Sequence, residues 1–204
     1  MVSGSDGRLG ERLGVFGGTF DPPHVGHLVA AINVRHELGL DRVLLTVANV
    51  PWQKVGSRPV SPAGDRLAMV EAAVADVEGL EASALEIARG GESYTIDTLE
   101  ALIDEDPTRS LFVIVGQDAA AGMPTWERCD EVRRLATLVV VERPGVAPDL
   151  PEGWVFERVQ VPRLEISSTE LRDRVRDGRP LDYLVPAGAI ACLKARRLYR
   201  EPCP

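Results

Sequence analysis

The stretch from Val15 to Leu28 constrains this chain more than any other. An apolar run, Leu13-Gly14-Val15-Phe16, ends in Gly17-Gly18, as a buried strand entering a tight turn does. Beyond Gly26 the pattern becomes helical, through His27, Leu28, Ala30, Ala31, Ile32 and Val34 to Leu38-Gly39. Glycines, prolines and two histidines therefore sit where a first strand hands over to a first helix. Open parallel α/β sheets hold nucleotides at such a place. Gly17 and Gly18 let the backbone approach a phosphate, and the helix N-terminus offers unpaired amides and a partial positive charge.

The spacing His24-Val25-Gly26-His27 puts two imidazoles on one side of the turn, and Gly26 removes the side chain that would lie between them and a ligand. Imidazole supplies a hydrogen-bond donor or, when protonated, a positive charge. A metal site built on the pair lacks a third ligand nearby, since no Cys is close and His36 falls later on the helix, where it reads as a surface residue. No G-x-G-x-x-G fingerprint for a dinucleotide cofactor is present. Phosphate handling fits best. The net charge of −8 argues against nucleic acid as a partner and requires any phosphate site to be locally positive.

A chain of 204 residues suits one α/β domain, expected over residues 12–200 after a Gly- and Ser-bearing disordered lead-in at 1–11. No apolar run reaches the length of a membrane span and no secretory signal opens the chain. Cys129, Cys192 and Cys203 form no ligand spacing and cannot all pair, so a reducing cytoplasm is the expected setting.

Further strands are expected at 43–47, 80–87, 111–115 and 138–141, after which a Pro-rich link leads to 155–161. Helices are expected after a Ser61 cap with Pro62 as first residue, over 95–103, from Thr125, after Ser167 and from Ala187. Strands alternating with helices predict a Rossmann-like, doubly wound parallel sheet in a single domain with a small C-terminal helical portion, its strand-end loops gathered on one edge.

A second cluster, Ile166-Ser167-Ser168-Thr169-Glu170-Leu171-Arg172, contains the capping box Ser167-x-x-Glu170, which alone would be only a capped helix. Ser168, Thr169 and Arg172 add hydroxyls and a cation in the first turn, where a phosphate docks. Together, Gly17-Gly18-Thr19-Phe20-Asp21-Pro22-Pro23-His24-Val25-Gly26-His27 and the Ile-Ser-Ser-Thr-x-x-Arg run, about 140 residues apart, resemble the two signatures of the T/H-x-G-H nucleotidyltransferases. Among these the chain resembles most the bacterial nicotinate-nucleotide adenylyltransferases, from about Leu13 to Tyr199 and weakly over 147–160. Relatives commonly carry Pro-Pro-His where this chain has Pro51-Trp52-Gln53, with Trp52 either a lid or a loop anchor.

The resemblance implies transfer of the adenylyl group of ATP to nicotinate mononucleotide, in NAD biosynthesis, releasing nicotinate adenine dinucleotide and pyrophosphate. It implies ATP contacts at Gly17, Gly18, Thr19, Phe20, His24, His27, Gly116, Asp118, Ile166, Ser167, Ser168 and Arg172, with His24, His27 and Arg172 catalytic. The acceptor contacts implied are Thr19, Asn49, Lys54, Tyr94, Thr95, Trp126 and Arg143. Mg²⁺ is expected to enter bound to the ATP phosphates rather than to a protein cage; Asp21 either orients that shell or, better, forms the turn before Pro22. Taken alone, Asp118 fits a helix cap as well as a ribose contact, and Trp126 fits packing as well as stacking. The rival readings are a pantetheine-phosphate adenylyltransferase, a non-catalytic nucleotide-binding module and, more distantly, a metalloprotein on His24 and His27. No membrane or nucleic-acid partner is expected, and a homo-oligomer is left open.

Overall fold

The apolar alternation around Gly14 becomes the centre of the sheet. In the computed structural model, which describes residues 10–51, 59–142, 145 and 149–200, strand β1 spans Arg12–Gly18. It is flanked by β2 (Arg42–Val47) and β4 (Ser110–Gly116); β3 (Leu80–Ser83), β5 (Ala136–Glu142) and β6 (Glu157–Gln160) extend the sheet to the order β3-β2-β1-β4-β5-β6. Every pairing is parallel. The doubly wound expectation holds. The strand order reverses between β1 and β4, so the crevice at their C-terminal ends is the binding place the topology provides.

Among the described residues eight α-helices cover the two faces: α1 (Val25–Glu37), α2 (Ala63–Val74), α3 (Leu85–Arg89), α4 (Thr95–Glu105), α5 (Gln117–Gly122), α6 (Cys129–Leu135), α7 (Ser168–Arg176) and α8 (Ala187–Ala195). Val43, Leu45 and Val47 of β2 point into the core shared with α1, α2 and α8, whereas Leu13 and Val15 of β1 join Ile96 and Leu99 of α4 on the other face. A strand with both faces covered reads as a continuous apolar run, which is why β2 and β5 were legible.

Several boundaries differ from expectation for local reasons. Pro62, not Ser61, occupies the N-cap of α2, and the Ser61 amide donates instead to the Asp21 carboxylate at 3.4 Å. The strand expected over 80–87 stops at Ser83. Leu85 to Arg89 turns into a short helix closed by Gly90 at φ +75°, because Leu-Glu-Ile-Ala-Arg has the helix-forming composition. No helix starts at Thr125. Met123–Thr125 is a single 3₁₀ turn, Arg128 adopts a left-handed conformation at φ 48°, and α6 begins only at Cys129. Residues 1–9 of the expected lead-in lie outside the described residues, while the Glu11 carboxylate is held by Arg42 and Arg109. His36 is exposed, as expected. Cys129 and Cys192 are free, and Cys203 is outside the described residues. Among the described residues no helix is long and apolar enough to cross a membrane.

Helix α8 reaches α2 at one tight point, where a Cβ on Gly188 would stand 2.2 Å from the Ala72 carbonyl oxygen. Gly188→Ala is therefore expected to push α8 off α2 and destabilise the fold by about 1–3 kcal/mol, readable as a lower urea midpoint.

Candidate active site

The C-terminal ends of β1 and β4 open into a cleft of about 540 Å³, bordered by Gly17, Gly18 and Thr19, by Gly116 and Asp118, and by Tyr94, Thr95 and Trp126. A Cβ on Gly17 would meet nothing within 4 Å, so at this residue the main chain itself forms the cleft wall. One on Gly18 would strike the Phe20 ring at 2.8 Å. The first glycine keeps the cleft open, and the second lets Phe20 fold back beneath it.

His24 sits at the N-cap of α1 and is buried. Its backbone N–H donates to Nδ1 of His27 at 3.1 Å. An accepting Nδ1 leaves the His27 ring proton on Nε2, so His27 is a neutral ring whose opposite nitrogen is the donor. The two rings stack with centroids 3.7 Å apart, a distance at which two imidazolium charges would repel. Phe20 packs edge-on against His27 at 5.0 Å. Gly26 also makes room for the ring pair: a Cβ there would press on the His24 ring at 3.0 Å.

Three distant cations or hydroxyls hold this loop by its main chain. Arg66 of α2, 1% exposed, donates to the carbonyls of Ser61 at 2.8 Å, Thr19 at 2.9 Å and Asn49 at 3.0 Å. Arg172 of α7, also buried, donates to the Asp21 carbonyl at 2.8 Å and the Thr169 hydroxyl at 3.0 Å. The Ser168 hydroxyl donates to the Pro22 carbonyl at 2.9 Å. Ser167 caps α7 by accepting from the Glu170 amide at 3.1 Å, while the Glu170 carboxylate pairs with Arg174, so only half of the expected capping box forms. Ile166, half-buried, packs on the core beside it. The two separated motifs meet at one edge of the sheet.

Comparison with known proteins follows the same lines. The cytidylyltransferase-like family model matches residues 15–174. A probable nicotinate-nucleotide adenylyltransferase of Corynebacterium kroppenstedtii is 46% identical over 192 residues, covering 92% of this chain and 90% of that one. One from Acidothermus cellulolyticus is 44% identical over 198 residues, covering 93% and 95%. The chain belongs to the nicotinate-nucleotide adenylyltransferase family, within the cytidylyltransferase-like proteins. It is an enzyme of the nucleotidyltransferase class. The fold agrees with two solved structures. One is a nicotinic acid mononucleotide adenylyltransferase of Plasmodium falciparum complexed with NaAD, with TM-score 0.75 and 15% identity over 93% of this chain and 97% of that one. The other is a nicotinate-nucleotide adenylyltransferase from Vibrio parahaemolyticus, with TM-score 0.68 and 21% identity over 94% and 97%.

On the side of this cleft away from Gly17 and Gly18, Tyr94 is the N-cap of α4 and makes no side-chain cap, so Thr95 opens a helix whose N-terminus borders the cleft. Trp126 lines the opposite wall, half-buried. The helix-opening amides expected after Thr125 are absent: the Trp126 amide donates to the Met123 carbonyl at 3.0 Å. Asn49 lies beside the cleft rather than in its wall. Its side-chain amide donates to the Gly91 carbonyl at 2.9 Å and its backbone N–H to the Ser93 hydroxyl at 2.8 Å, stapling two loops together. Asp118 is exposed in the first turn of α5, whose N-cap is Gly116. Lys54, Trp52 and Arg143 lie outside the described residues. Among the described residues no group of three His, Cys, Asp or Glu could hold a metal ion.

Two residues of the site were missed from sequence. Arg66 could have been found, because it shares the α2 face of the buried Met69, Val70 and Ala73, where an arginine has to meet acceptors. Arg66→Met should leave buried carbonyls unpaired and cost about 2–4 kcal/mol of stability in urea unfolding. Glu86 is the other: 6% exposed, on the cleft wall, accepting from the Thr98 hydroxyl at 3.0 Å. Burial pushes its carboxyl above the usual range, against the lowering effect of hydrogen bonds from Ser93 and Thr98. A raised folded-state value means that its contribution to stability is complete at acid pH and is lost as pH rises through that value. Glu86→Gln, which keeps an acceptor for Thr98, should therefore raise the Tm at pH 7–8, and the gain should vanish below about pH 4.

Proposed function

We propose that this enzyme transfers the adenylyl group of ATP to nicotinate mononucleotide, with the triphosphate over the Gly17–His27 loop and the pyridine between Thr95 and Trp126. One observation carries the reading: the cleft at the β1/β4 switch point has a phosphate-type glycine turn on one side and an uncapped helix start facing an indole on the other. A nucleotide phosphate is already ionised near neutral pH, so the nucleophile needs no general base. The demand is to align two repelling anions and to stabilise the charge that builds on pyrophosphate as the α-phosphorus changes partners.

The His27 Nε2–H and the His24 ring supply donors to the phosphates, and the Gly17–Thr19 main chain and the Ser167-Ser168 turn complete the cradle. Arg172, fixed on the Asp21 carbonyl, adds positive potential behind the loop while holding it in place. Asp118 and Gly116 stand where the adenosine would meet the end of β4. Mg²⁺ accompanies ATP as part of the substrate. At the pyridine end, the Thr95 hydroxyl and the opening amides of α4 bind a carboxylate. The described cleft wall contains Glu86, Asp118 and Glu127 but no Lys or Arg, which suits a ring that carries its own positive charge.

Purified protein given ATP with nicotinate mononucleotide should release pyrophosphate and form nicotinate adenine dinucleotide. Adenylylation of phosphopantetheine instead, or ATP binding with no pyrophosphate from any acceptor, would overturn the reading. His27→Ala should raise the barrier by about 2–4 kcal/mol, as expected for one lost preorganised donor; a wild-type kcat would remove His27 from the mechanism.

A further inference from the structure

The segment after α8 ends in two left-handed residues that carry large side chains, Arg197 at φ 53° and Tyr199 at φ 63°. Such backbone is costly outside glycine and persists where the surroundings enforce it. Here it turns the Tyr199 ring inward, against the apolar core under α2, with its hydroxyl at the phosphate loop. The Tyr199 Oη–H donates to Asp21 Oδ1 at 2.7 Å, and the Ser61 amide faces the other carboxylate oxygen at 3.4 Å. Asp21 is 1% exposed and stands three residues before His24. The same face of the loop receives Arg172 and Ser168, and the Val25 amide donates to the Leu184 carbonyl at 2.9 Å. Thus the Asp21 carboxylate is held from within the protein by a phenol, rather than turned toward the cleft, whose wall does not include it.

We propose that Tyr199 is a positioning residue for adenylyl transfer: through its hydrogen bond to Asp21 it fixes the approach of the loop to α1 and so the placement of the His24 and His27 rings. This rests on the function proposed above. Burial and the neighbouring Asp21 charge push the Tyr199 hydroxyl well above its ordinary range, so it stays a donor throughout the neutral region. A shift of about 1 Å in the loop is enough to misalign a charge stabiliser, because in-line transfer depends on placement at that scale. The acceptor pocket is built from α4 and the Trp126 turn, so its affinity should not follow Tyr199.

Tyr199→Phe keeps the ring and removes only the donor. Measured well below its Tm, on folded protein, it should lower kcat about tenfold while the KM for nicotinate mononucleotide changes less than twofold. In an Asp21→Ala background, Tyr199→Phe should have almost no further effect, since the tyrosine would have nothing left to hold. Independently of turnover, ¹⁵N spectra of the imidazoles should show His27 as the Nε2–H tautomer in the wild type and a drift toward tautomer averaging in Tyr199→Phe. A wild-type chain that forms no dinucleotide would overturn the proposed function, and the imidazole spectra would still decide the positioning role. Unchanged kcat with unchanged spectra, or a defect that disappears once the variant is cooled to full folding, would make Tyr199 a stability residue only.

Discussion

The structure depends on the rule that a buried peptide carbonyl must find a donor. The loop from Thr19 to His24 carries two prolines and a glycine-flanked turn, so it cannot satisfy its own main chain through helix or sheet. Arg66 and Arg172 do this instead, one from α2 and one from α7. Each guanidinium has several donors in a fixed plane and joins carbonyls or hydroxyls that no neighbouring strand could reach. Two positive charges are thereby placed under the loop, in a protein whose net charge is −8. The same side chains solve a packing problem and an electrostatic one.

The histidine pair shows a similar economy. Its stacking and the bond from the His24 amide to His27 Nδ1 set the direction of a ring proton through the main chain rather than through a carboxylate. Neutral donors of fixed orientation stabilise developing charge without first having to be desolvated as ions. Gly26 permits the arrangement by leaving room for the His24 ring. The chemistry therefore begins in the local conformation of four residues.

Much of the fold was readable in advance because its signals are local. β1, β2, β4 and β5 are continuous apolar runs, and the handover from Gly17-Gly18 to α1 is marked by residue types that tolerate few other conformations. The errors fell where a local preference was overruled or misread. Leu85 to Arg89 has a strand-like flank but a helical composition, and Thr125 looks like a cap until Pro124 and the left-handed Arg128 delay the helix to Cys129. At the site, His24, His27 and the Ser167-Ser168 turn were visible as motifs. Arg66 was marked only by its place on the buried face of α2, and Glu86 and Tyr199 by no short pattern, since their roles arise from tertiary contacts.

The contacts between the first loop and the C-terminal third span 146 residues at Ser168, 151 at Arg172 and 178 at Tyr199. A nascent chain therefore makes this loop first and the residues that brace it last. Until the region around α8 is available, Arg66 can hold the Thr19 carbonyl, but the Asp21 and Pro22 carbonyls and the Asp21 carboxylate lack their C-terminal partners. Closing such long loops is entropically slow, so competence arrives at the end of folding rather than growing with chain length. A half-made polypeptide of this kind thus holds the loop before its first helix at one end only, and its topology delays the rest.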